Sequence, residues 1–156
     1  MNFVSAARLL GSVVFLVGVG SVVPARAQLG PGSVWERTDA EGKGIVMTVE
    51  ACCQGGLRLM YRLASTDGRP AMTMSVDSPM TGAEAPVIMA GKPTTETMAI
   101  TRVDEHHYNA VLRMGGQTFG TSKGAIAADG KSMTVETTQA MPGGSQRKVI
   151  ETWVRK

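Results

Sequence analysis

Between Glu96 and Lys156 the chain repeats one pattern five times, a short run of strand-forming residues followed by a break. The runs are Glu96–Val103, His107–Met114, Gln117–Ala127, Ser132–Met141 and Gln146–Arg155. Asp104-Glu105, Gly115-Gly116, Asp129-Gly130 and Pro142-Gly143-Gly144 separate most of them. Short strands at even spacing, with no helical stretch between them, define an antiparallel meander, the unit from which barrels and sandwiches are built.

The same grammar extends upstream. Ile45–Ala51 alternates, with Ile45, Met47 and Val49 on one side, and Cys52-Cys53-Gln54-Gly55-Gly56 ends it. Leu57–Leu63 places Leu57, Leu59, Tyr61 and Leu63 on one face, opposite Arg58, Met60 and Arg62. Thr66-Asp67-Gly68-Arg69 supplies the residues of a tight turn. Ala71–Asp77 follows, with Met72, Met74 and Val76 on one face. From Pro79 to Pro93 only Val87–Met89 reads as a strand, and an edge strand at that, because Pro86 and Pro93 cannot donate to a central ladder. Gln28–Ser33, a Gly/Pro leader, is expected to be mobile.

These runs predict an all-β fold of about eight to nine strands, either a single antiparallel up-and-down barrel or a sandwich. Hairpin-length connections after residue 95 favour nearest-neighbour pairing, and hence the barrel. Gly120 and Gly124 mark a bulge or bend in Gln117–Ala127. Two registers compete in the last strand, Val149/Glu151/Trp153 against Ile150/Thr152/Val154.

Residues 1–27 stand outside this pattern. Met1–Arg8 carries one positive charge, Leu9–Val23 is an apolar run, and Ala25-Arg26-Ala27 is an A-x-A site. The segment reads as a cleavable Sec-type signal peptide cut after Ala27, which makes residues 28–156 one exported domain, periplasmic or secreted. The run is too short for a membrane anchor. The full chain has 16 Lys+Arg and 13 Asp+Glu; without Arg8 and Arg26 the bases fall to 14. With a net charge of +1 and no basic block, neither nucleic acid nor membrane is an expected partner. Aromatic residues are scarce, and methionine, a flexible gap-filler, takes much of their place.

Ala128-Asp129-Gly130-Lys131-Ser132-Met133-Thr134-Val135 resembles a D-G-K-S/T-M-T-V hairpin of small exported bacterial proteins regarded as lipocalin-like (calycin-like) β-barrels. Ile100–Asp104, Tyr108–Leu112, Gly115-Gly116, the Asp67-Gly68-Arg69-Pro70 turn and Ala85-Pro86-Val87 are similar as well, so the likeness spans most of residues 28–156. These are hairpin motifs, which speak for fold and not for chemistry. The resemblance implies a Trp near the first strand with a basic residue from the end of the last strand packed over it. Trp35 with Arg155 or Lys156 fits, and Trp35–Arg155 is the expected closure through cation–π contact. Gly32-Ser33-Val34-Trp35 is one residue longer than the usual G-x-W.

Catalytic motifs are absent: there is no G-x-S-x-G, phosphate-binding loop or paired-carboxylate motif, and the sequence calls for no cofactor. The adjacent Cys52 and Cys53 leave open a vicinal disulfide, free or mixed thiols, or a soft-metal site. Met72 and Met74 have a spacing that suits Cu(I) as well as a packed strand face, and His106-His107 lack the three or four convergent ligands a metal needs.

The expected function is therefore a non-enzymatic barrel that binds a small apolar or amphipathic molecule at its mouth. Its expected lining comprises Leu59, Tyr61, Met72, Met74, Met98, Ile100, Tyr108, Leu112, Met133 and Val135. The alternatives are a soft-metal or redox-responsive protein using Met72, Met74, Cys52, Cys53, His106 or His107, and an interaction module whose barrel is filled solid.

Overall fold

Period-two alternation, closed on itself, produces the architecture. The structure is a computed structural model and describes residues 28–63 and 70–156. The expected signal peptide and the Thr66–Arg69 turn lie outside the described residues. Ten antiparallel strands follow one another: β1 (Val34–Arg37), β2 (Val46–Cys52), β3 (Gly56–Leu63), β4 (Met72–Ser78), β5 (Thr81–Met89), β6 (Lys92–Arg102), β7 (His107–Met114), β8 (Gln117–Ile126), β9 (Ser132–Ala140) and β10 (Gln146–Arg155). Each pairs with its neighbour in sequence, and β1 also pairs with β10, so the sheet is a closed barrel. Closure leaves no strand edge to protect.

Three expectations need correction. First, there are ten strands and not eight or nine, because β1 is only four residues long and β5 spans Thr81–Met89. Second, the segment around Pro86 and Pro93 is not an edge. Pro86 pairs with Thr97 and Pro93 with Ile88, and the ladder absorbs them through register shifts between Thr81 and Glu84 and between Pro86 and Ile88. Pro86 lies just beyond Val87, where the ladder to β4 ends, and Pro93 lies beside the β5–β6 turn, so neither sits in the middle of two complete ladders. Thr94 helps here by donating its hydroxyl to the Val87 carbonyl, 2.9 Å away.

Third, the leader is held in place. Gly32 N–H donates to the Val49 carbonyl at 2.8 Å on β2, and Leu29 N–H donates to the Tyr108 hydroxyl at 3.0 Å on β7. β2 and β7 lie on opposite sides of the ten-strand ring. The leader therefore crosses the barrel end and puts Leu29, 5 % exposed, into the core. Ser33 fixes the crossing, accepting from Trp35 Nε1 at 3.0 Å and donating to the Gly30 carbonyl at 2.7 Å.

The turns are legible one by one. Gly115 and Gly116, at φ 57° and 81°, form a two-residue loop between the paired Met114 and Gln117. Two positive φ angles are what a type I′ hairpin requires. Ala90 and Gly91 do the same between Met89 and Lys92, with Ala90 at φ 48°. Gly56 is needed for another reason: a Cβ there would lie 2.8 Å from Pro79 Cα. The bulge expected in β8 is present, where Leu112 faces Gly120 but Arg113 faces Thr118, leaving Phe119 extra.

The core gathers at the leader's end of the barrel. Trp35, Leu57, Met80, Ile126 and Met133 are buried there around Leu29. Burying two tryptophans, Trp35 and Trp153, contributes on the order of 4–6 kcal/mol each at about 25 cal/mol per Å2. Arg155 lies over Trp35, its Cζ 5.6 Å from the ring centroid, in direct register across β1 and β10. Trp35 is fully buried, so the pair caps the packed end.

Candidate functional site

A cavity of about 270 Å3 occupies the rest of the interior. Leu29 and Tyr108 line it next to the packed floor. Its upper lining comes from Ile45, Leu63, Met74, Leu112, Gln139 and Val149, which stand toward the opposite end, where the β1–β2, β5–β6, β7–β8 and β9–β10 connections lie.

Nine of the ten residues expected on the lining face this space. They are Leu59 and Tyr61 on β3, Met74 on β4, Met98 and Ile100 on β6, Tyr108 and Leu112 on β7, and Met133 and Val135 on β9. Met72 does not. It shares the inward parity of Met74 but begins β4 at the rim, where it is 47 % exposed.

The competing registers of β10 resolve in favour of Val149, Glu151 and Trp153, all of which line the cavity. This brings in the feature that alternation missed, an ion pair on the inner wall. Arg37 Nη1 lies 3.1 Å from Glu151 Oε1. The other side of the guanidinium clasps Asp39, Nε to Oδ2 at 2.7 Å and Nη2 to Oδ1 at 2.9 Å. Glu151 Oε2 accepts from Trp153 Nε1 at 3.1 Å. The Arg37 hydrogen bonds hold the Asp39 carboxyl down at about 2, aided by the Thr152 N–H at 3.1 Å. Burial, reinforced by the Glu151 charge, pushes the Tyr61 phenol up and keeps it un-ionised. Tyr61 and Trp153 meet edge to face with centroids 6.1 Å apart. A sequence signal for Arg37 did exist, since Trp35 inside implies Arg37 inside two residues later.

The two walls differ. β2 to β7 present methionine, leucine, isoleucine, alanine and tyrosine with Asn109 as their one polar residue, whereas β8 to β1 set Ser122, Thr137, Gln139, Glu151 and Arg37 among Met133, Val135, Val149 and Trp153. Ser122 and Thr137 hydrogen-bond each other at 2.8 Å. β8 also supplies Gly124, a small residue that leaves the interior open on that side. Among the described residues, no buried side-chain polar atom lacks a partner.

The metal candidates lie at opposite ends of the barrel. Met72 and Met74 stand at the open end of β4, whereas Cys52, Cys53, His106 and His107 lie at the floor end, in the β2–β3 and β6–β7 connections and the start of β7. Cys52 and Cys53 are joined in a disulfide on the outside of the barrel. His107 Nδ1 lies 2.8 Å from Asp104 Oδ2, and His106 Nδ1 lies 3.2 Å from the Ile126 carbonyl. Among the described residues, no three His, Cys, Asp or Glu side chains converge as a metal site. The third alternative required a solid barrel and an unbroken apolar exterior. Instead the interior is hollow, and the large exposed apolar residues are distributed over both ends, from Met72, Met114 and Met141 to Val103 and Val154.

Fold and site together define a closed, ten-stranded antiparallel β-barrel with a floor, an open interior and one charged patch on its inner wall. No family model matches the chain, and no curated protein or solved structure is similar enough to count as a match.

Proposed function

We propose that the protein is an exported, non-enzymatic barrel that holds one small amphipathic molecule in its interior. The observation that carries this reading is the cavity of about 270 Å3, floored at one end, mostly apolar, with its polar groups gathered mainly on β8 to β1. Pockets that bind small molecules pair mostly apolar linings with a few placed polar groups, as this one does. An engineered cavity of about 150 Å3 holds benzene, so this space suits roughly ten to fifteen non-hydrogen atoms. Barrels of about eight strands have interiors that side chains nearly fill, and diameter grows with strand number, so ten strands leave room. Export rests on the signal-like residues 1–27.

The test is native mass spectrometry of the protein purified from its own source, beside the variant Ala110→Phe. Ala110 lines the cavity on β7, and a phenyl ring there takes up about half of it, leaving too little for octanol. Wild type is expected to carry an organic adduct, or to take up 1-octanol on titration, and the folded variant to do neither. An apo wild type that ignores octanol, or a variant that binds as well as wild type, would end the proposal.

A further inference from the structure

The charge lining the cavity has a sign. Of the described side chains that line it, only Arg37 and Glu151 are charged, and Asp39 stands directly behind Arg37. One guanidinium thus faces two carboxylates, an excess of one negative charge. The next charged pair along, Arg147 with Glu41 at 3.0 Å, is self-compensating and lies outside the lining. Asp39 remains ionised at any neutral or mildly acidic pH, since its carboxyl is held at about 2. The balance is therefore not removed by protonating Asp39.

The hydrogen-bond inventory points the same way. Two of the five N–H groups of Arg37 are hydrogen-bonded to Asp39, and its Nη1 is ion-paired with Glu151 at 3.1 Å. A ligand carboxylate approaching Arg37 would be the third carboxylate around a single cation. The Glu151 carboxylate, by contrast, accepts one hydrogen bond, from Trp153, and its two oxygens have lone pairs left for a donor. The neighbouring rings of Tyr61 and Trp153, 6.1 Å apart, both line the cavity and offer π-faces of the kind that attract cations. Met74 is Tyr61's register partner on β4, and Met98 and Leu112 lie farther round the ring on β6 and β7, a surface that suits an alkyl or aryl body.

We infer that the interior takes a small hydrophobic amine, its ammonium against Glu151 and the Tyr61–Trp153 rings and its apolar body against Met74, Met98 and Leu112. This rests on the ligand-binding reading above and names the chemical class of its occupant. Glu151 and Trp153 are binding groups, while Asp39 positions Arg37 and sets the charge balance.

The experiment is a calorimetric titration at neutral pH with three probes of equal chain length and different heads: octylammonium, octanoate and 1-octanol. Wild type is expected to bind octylammonium at least tenfold more tightly than octanoate. Glu151→Gln removes the excess charge and is expected to abolish that preference, and Asp39→Asn, which lies behind the lining, is expected to keep octanol affinity within about twofold. Asp39→Asn takes away the same unit of charge without touching the lining and is expected to shrink the preference as well, a check that survives if Glu151→Gln fails to fold. Octanoate binding as tightly as octylammonium in wild type, or a preference unchanged in both variants, would overturn the inference yet leave the cavity reading standing. Failure of all three probes would overturn both.

Discussion

Trp35 and Met72 both occupy inward-facing register positions, yet the first is completely buried and the second 47 % exposed. They mark the two ends of one barrel. At Trp35 the leader crosses from β2 to β7, Leu29 drops into the core, and Arg155 caps the indole. At Met72 no described segment crosses. The same alternation of residues therefore yields packed core at one end and accessible lining at the other. Parity sets which face a side chain takes, but depth along the barrel axis decides whether it is buried. The floor provides the rigidity and the mouth provides the space, so the two ends should respond differently to substitution.

The sharpest way to break this contrast is a pair of truncations. Trp35→Ala should cost about 3–5 kcal/mol, the usual range for emptying a buried aromatic site. Met74→Ala, on the cavity wall, should cost about 1 kcal/mol, because water or ligand already has access there. Urea unfolding measures both, and equal losses would mean that the ends are not distinct.

The salt-bridged cluster on the inner wall comes next. Asp39 has a folded-state carboxyl held near 2, below its ordinary value of 3.8. A depressed carboxylate contributes stability above its unfolded pKa and loses it as pH falls through the folded one. Asp39→Asn should therefore lower stability by about 1–2 kcal/mol at neutral pH, the scale of a charge-assisted hydrogen bond. The penalty should fade between about pH 4 and pH 2. A penalty independent of pH across that window would contradict the assigned pairing.

The smallest effect is expected in a turn at the open end. Ala90 holds φ 48° in the first position of a two-residue hairpin, where the β7–β8 turn uses Gly115. Left-handed backbone costs an L-residue roughly 1–2 kcal/mol, and glycine's extra freedom in the unfolded chain offsets part of the gain. Ala90→Gly should stabilise the fold by about 0.5 kcal/mol, visible as a rise in Tm of about 2 °C. A fall in Tm would show that the turn prefers its alanine.

Much of the barrel was legible because β3, β4 and β7 alternate cleanly, and a closed ring of hairpins follows from short connections. Five features were not, each for a physical reason. β10 offered two apolar faces because its inward set includes Glu151, and period-two reading assumes that charges point to water. Arg37 escaped for the same reason, its partner lying more than a hundred residues away in sequence. The Pro79–Pro93 stretch was demoted because proline cannot donate to a ladder, whereas β5 and β6 accommodate it with register shifts. The leader's role depends on the Tyr108 hydroxyl across the barrel, which no local pattern encodes. Met72 had the correct parity but the wrong depth.

Methionine-methyl NMR during titration with 1-octanol tests the hollow, one-ended barrel most directly, because methionines line the cavity and also sit on the outer wall. Met47, Met74, Met98 and Met133 line the interior, while Met60 lies outside it on β3. The account predicts shifts at the four lining methyls, with Met60 unmoved. Shifts at Met60, or none at Met74 and Met98, would contradict it.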